Sequence, residues 1–334
     1  MKSGPKITRR HGIGFAAGLM VAASGLADNV KSATAKSAIA DGATDTFDRN
    51  GSLPADAIEK AIGAEGSFHH GVLSISIGRK DIGTVKGRMG VTFTKDFQID
   101  DGFNIQPLPD GRAMVNGEMT VLPDEANAVI REIVAQGLTF QALHQHFMGE
   151  DPQVFHIHLR GIDAPIRLAE KLRKVVERTA APLPQSKEKN PTSPLDHRRL
   201  AQILGGVGEI SDGGMVHVMI PRLEQIRLGG VDVNPYLGVL THVNFMPLDS
   251  AGKKVAVAPD YAMTAAEVDA VMRVSIRNGF DIGCLYNQET DEFPQLFFSH
   301  QLKVGDATSL ARSVREALDQ TAVRHLAALG GMSR

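Results

Sequence analysis

Residues 144–158 read His-Gln-His-Phe-Met-Gly-Glu-Asp-Pro-Gln-Val-Phe-His-Ile-His, so four of the chain's twelve histidines fall here as two His-x-His pairs. Alternate side chains of a strand share a face. His144 and His146 are therefore expected to point one way together, and so are His156 and His158. A turn between two such strands would gather four imidazoles. Neutral imidazole is the commonest protein ligand for zinc and similar ions, so the chemistry expected is that of a bound metal. The plainer alternative is a solvated or core histidine group.

A carboxylate would complete such a set. Glu118 lies within Val-Asn-Gly-Glu-Met-Thr-Val-Leu at 115–122, where an unpaired charge among apolar neighbours is costly. It is the first choice for an anionic ligand, against an outward-facing surface glutamate. Glu150, in the turn between the histidine pairs, would reach the metal or move protons; a solvated turn acid is the alternative. Arg79 follows an alternating strand. It would fix a substrate carboxylate in bidentate fashion or pair with Asp81.

The elements that position these residues come in two copies. Residues on either side of a proline-rich break at 180–194 correspond at an offset of about 142, and such a repeat sets the architecture. Leu73–Arg79 matches Val216–Arg222, Pro123–Val129 matches Ala265–Val271, and Pro152–Phe155 matches Pro294–Phe297. In the first copy the pattern predicts a helix over 55–62 and strands near 72–77, 90–97 and 113–122. A helix over 123–136 ends at Gly137, two strands carry the histidines, and a last helix runs over 165–178. Strands that follow one another without helical crossovers favour antiparallel pairing. The expected fold is α+β, an internal duplication of two similar units with largely antiparallel sheets flanked by helices. The copies occupy 52–179 and 195–322, with a tail over 323–334.

The second copy is a control on the first. His144 corresponds to Tyr286, His146 to Gln288 and His156 to Phe298, while His158 corresponds to His300 and Glu118 to Asp260. The apolar frame is kept and most nitrogens are lost. That pattern predicts one metal site in the first copy and a degenerate second copy. It leaves the choice between His156 and His158 as third histidine ligand open.

Composition narrows the class. The chain has 334 residues, 22% charged and 43% apolar, with a formal net charge of -2 and no tryptophan. Nothing here predicts a nucleic-acid surface. Lys2, Lys6, Arg9 and Arg10 precede a short apolar run over 13–26 and a small-x-small site at Gly25-Leu26-Ala27. This is the layout of a signal peptide over 1–27, followed by a flexible lead-in over 28–51. Thr8-Arg9-Arg10 is similar to the start of a twin-arginine signal. A periplasmic or secreted protein is expected, with no membrane span after cleavage. Cys284 is the only cysteine and is expected to pack rather than react.

On the strings Gly117-Glu118 to Leu122-Pro123-Asp124-Glu125, Ala142-Leu143-His144-Gln145-His146 and Pro152 through His158, the chain resembles the LppY/LpqO-like family of exported bacterial proteins. That family pattern has His-Asn-His at 144–146 and a single histidine at the place of His158. Asn116-Gly117-Glu118-Met119 and His144-Gln145-His146-Phe147-Met148-Gly149-Glu150-Asp151 are similar to the zinc site of acetolactate decarboxylases. That resemblance implies a zinc site made of three histidines and a glutamate. The third histidine falls out of register, at Ile157 between His156 and His158. His144-x-His146-x-x-x-Glu150 also resembles part of a cupin motif, which would bring iron, manganese or copper instead; the later glycine and second motif are missing. The reading is a metal-dependent lyase or hydrolase acting on a small oxo- or hydroxy-acid through Zn²⁺. The alternative is a non-catalytic envelope module that binds a ligand or a protein.

Overall fold

The computed structural model describes residues 53–323. The expected signal peptide, lead-in and nearly all of the C-terminal tail lie outside them. The first repeat builds a six-stranded antiparallel sheet in the order Gly66–His69, Val72–Gly78, Asp100–Pro107, Ala113–Val121, Phe155–Asp163, Thr139–His144. The second repeats that order with Val207–Ile210, Val216–Ile220, Thr241–Pro247, Val255–Thr264, Leu296–Gly305 and Asp281–Ile282. The fold is α+β and duplicated.

Three helices serve each sheet. In the first repeat they are Ala55–Ile62, Ala126–Ala135 and Pro165–Val176. Leu168, Leu172, Val175 and Val176 recur at helical spacing and are fully buried. Each contributes roughly 1.5–3 kcal/mol of burial. His197–Leu204, Val268–Arg277 and Ala307–Leu318 do the same for the second sheet. No helix among the described residues is long and apolar enough to cross a membrane.

Strand alternation decides what faces the helices. In Ala113–Val121, Ala113, Val115, Met119 and Val121 join the helix-side core, with Ile157 and Leu159 of the neighbouring strand. Asn116, Glu118 and Thr120 take the other face. Val255, Val257, Tyr261 and Met263 mark the helix side of the second sheet, and Asp260 takes its other face. The two helix-free faces meet. Val72 and Met114 pack with Leu237, Ala262 and Phe298 on one flank, and Phe93, Phe97 and Phe147 with Ala256, Ala258 and Leu302 on another. The layers run helices, sheet, sheet, helices.

One strand expectation is corrected. Only Thr92–Phe93 forms a strand within 90–97, because Met89, Gly90 and Gln98 turn the chain at positive φ. Val91, Phe93 and Phe97 fill core space instead. The sheet strand there is Asp100–Pro107, whose Asp-Asp-Gly opening imitates a turn. The strand Gly66–His69 is also additional to the expected order. Between Val176 and His197 no helix or strand forms, and Gln185 ties this stretch to Gly78 through its side-chain amide.

Candidate metal centre

Glu118 and His158 are direct cross-strand partners, and His156 lies two residues from His158 on the same face. His144 ends its strand opposite His156, and His146 follows in the turn. Strand pairing thus brings the two His-x-His motifs against the glutamate. Glu118 Oε1 is 3.3 Å from His146 Nε2 and 3.2 Å from His156 Nδ1, and Oε2 is 3.1 Å from His158 Nε2. His144 Nε2 lies 2.9 Å from His158 Nε2. Among the described residues, Glu118 with His144 and His158, and Glu118 with His146 and His156, have donor atoms spaced to hold an ion.

Electrostatics favour a cation here. Burial, and then repulsion from His156, push His146 down to about 3. Burial and His158 hold His144 well below the ordinary histidine range. Neutral imidazoles offer lone pairs. Burial opposes ionisation of Glu118, but the imidazoles of His146, His156 and His158 around it hold it well below the usual carboxylate range. His146 Nε2 is buried and makes no hydrogen bond despite its nearness to the carboxylate, and His156 Nε2 is buried and unpartnered. Imidazole nitrogens left so are costly unless something binds them. The donor set therefore fits a metal ion.

The second repeat contributes more than the loss of its nitrogens predicted. His300 stacks on His146 with ring centroids 3.6 Å apart, and Tyr286 stacks on His144 at 3.6 Å. Cys284 Sγ is 3.4 Å from His300 Nδ1, and His144, Cys284 and His300 form a further donor group. Burial raises the Cys284 thiol, so it is held protonated. Asp260 pairs across strands with His300, as Glu118 does with His158. Burial, then Glu118, lift Asp260 well above the usual range. The cluster is thus walled by both repeats.

It opens on a cavity of about 350 Å³ between the sheets, lined by Glu118, His146 and His158 from one repeat and Asp260 and His300 from the other. Farther along, the lining includes His69, Glu209, His217 and His242. His217 Nε2 is 2.8 Å from His242 Nδ1, and Glu209 lies 3.1 Å from His69 Nδ1 and 3.6 Å from His217 Nδ1. Sequence reading missed this group. Its signal was alternation, since His217 is the polar position between the core residues Val216 and Val218.

Arg79 and Glu150 stand elsewhere. The Arg79 guanidinium is fully buried, 2.8 Å from Asp81 and 2.8 Å from Glu125, and donates to the Thr120 carbonyl. Arg222 repeats this with Glu224, Glu267 and the Ala262 carbonyl. Glu150 accepts from Gln153 at 3.0 Å, and burial raises its carboxyl to about 7. Neither Arg79 nor Glu150 lines the cavity. The substrate clamp expected of Arg79 and the proton-moving role expected of Glu150 thus have no contact with this cavity.

Fold and site together define a class: a duplicated α+β chain with a histidine–carboxylate cluster between two sheets. Over residues 56–178 and 198–320 the chain matches the family described as Domain of Unknown Function (DUF1259), and it belongs to that family. No curated protein and no solved structure matches it.

Proposed function

We propose that this protein is an exported metal-dependent enzyme of the LppY/LpqO-like group, acting on a small oxo- or hydroxy-acid. One observation carries the reading: a single carboxylate, Glu118, lies within 3.3 Å of nitrogens from three imidazoles at the wall of a cavity. The metal ligands are drawn from Glu118, His144, His146, His156 and His158. Nitrogen and carboxylate donors suit Zn²⁺, with iron, manganese or copper as alternatives. When bound, the ion supplies Lewis acidity toward a carbonyl or carboxylate oxygen.

The chain's own residues do the rest. Lys80 and Lys187 line the cavity and attract an anion. Asp260, whose carboxyl burial and then Glu118 raise, lines the cavity and would exchange a proton there. Decarboxylation, isomerisation and hydrolysis all use such a pairing.

Elemental analysis of the purified protein tests this. Stoichiometric metal is expected, lost when His144→Ala and His146→Ala are combined while circular dichroism stays unchanged. Protein that takes up none of zinc, iron, manganese or copper returns the chain to a non-catalytic ligand- or protein-binding module.

A further inference from the structure

The donors of the cluster divide in two. Glu118 Oε1 faces His146 and His156, and Oε2 faces His158, which in turn touches His144. Each set offers three donor atoms within 4.8 Å of one another, and Glu118 belongs to both. Ions bound at about 2.0–2.1 Å in tetrahedral geometry separate their donors by about 3.4 Å. The contacts of 2.9–3.3 Å that Glu118 makes with His146, His156 and His158, and His144 with His158, are close to that spacing, and the stacked rings of His146 and His156, 3.2 Å apart at their centroids, must turn to share an ion.

Four imidazoles and a carboxylate exceed the three or four protein donors that one zinc ion takes. At His146 hydrogen bonding does not absorb the surplus: Nε2, which lies 3.3 Å from Glu118 Oε1, makes no hydrogen bond. A carboxylate whose two oxygens address separate pairs of imidazoles is the arrangement of a bridging ligand.

We propose that the cluster is a two-ion centre: Glu118 bridges one divalent cation held by His146 and His156 and a second held by His144 and His158. This rests on the metal-binding reading above. A bridging carboxylate sets ions at about the 3.5–4 Å separation usual in two-metal sites. Three protein donors for each ion leave further coordination positions. One imidazole of each pair, His146 and His158, lines the cavity beside Glu118, so both ions are reached from the same side. Two cations sharing one carboxylate leave a strong positive charge. The ligand class that answers it is a small acid offering a pair of anionic oxygens.

The test is titration of metal-free, full-length protein with Zn²⁺, followed by calorimetry and elemental analysis, with Mn²⁺ loading followed by electron paramagnetic resonance. Two ions per chain are expected, with an exchange-coupled Mn²⁺ spectrum in the wild type. His156→Ala and His144→Ala should each retain one ion and show an uncoupled signal. Saturation at one ion per chain overturns the two-ion proposal and leaves the metal-binding reading standing. No uptake at all overturns both. The wild-type stoichiometry and coupling decide the matter even where a variant fails to fold.

Discussion

The two repeats share a frame and differ in chemistry. Both bury an arginine, Arg79 or Arg222, against an acid two residues on and the glutamate that opens the next helix. That glutamate accepts from a backbone amide three residues earlier in each copy, Leu122 or Thr264. Both place an acid across from a histidine, Glu118 with His158 and Asp260 with His300. They part at His144 and Tyr286, His146 and Gln288, His156 and Phe298. What occurs twice holds each sheet to its helices. What occurs once gathers around the cavity. An arginine that looked like a substrate clamp in one copy is recognised as structural because the other copy has it too.

The largest effect should come from breaking what is shared. Arg79→Ala strands Asp81 and Glu125 with a partly buried charge, and Arg222→Ala does the same to Glu224 and Glu267. Each should cost about 3–5 kcal/mol in urea unfolding. A large loss in one repeat only would undo the claim that the two clamps are equivalent.

Substitution of what is unshared should separate stability from binding. Gly283 of the second repeat packs on the histidine turn of the first, and a Cβ there would collide with the His146 carbonyl oxygen. Gly283→Ala should weaken zinc affinity at least tenfold, in the range seen when supporting contacts of metal sites are lost. Unchanged zinc affinity in a competition assay would place the second repeat outside the site. Tyr286→Phe, which keeps the ring stacked on His144, should change that affinity several-fold less.

The smallest effect concerns pH. His242 is moved by burial, and then by His217, from the ordinary 6.5 to about 3. Between those values the unfolded chain binds the proton and the folded chain does not, so this group's contribution to stability is lost as pH falls from 6.5 toward 3. His242→Gln should flatten the acid limb of the stability profile in that window. Glu150 works in the opposite sense. Its carboxyl is raised to about 7, so its burial costs stability as pH rises through 4.5 to 7. Chemical denaturation across pH 4–8 reads both.

The sequence made the duplication, most helices and the histidine pairs legible, because helical spacing, strand alternation and offset are local or periodic. It hid the strand Asp100–Pro107 behind an acidic, glycine-bearing start. It also hid everything that depends on the sheets meeting face to face. Nothing local marks His300 as a neighbour of His146, or Gly283 as the residue that admits the His146 backbone. The two readings of Arg79 stayed open for the same reason. An arginine beside a strand reads alike whether its guanidinium faces a cavity or a helix, and only the partner Glu125, 46 residues away, decides.

The cavity between the sheets has one further consequence. In a symmetric dimer of identical chains every substitution is made twice, once on each wall, and a pair of equivalent sites must change together. Joining the two units in one chain removes that constraint. One wall can gather imidazoles while the facing wall carries tyrosine, glutamine and phenylalanine at the matching positions, and the pocket acquires a direction: a ligand entering it meets Glu118, His146 and His158 on one side and Asp260, Gln288 and His300 on the other.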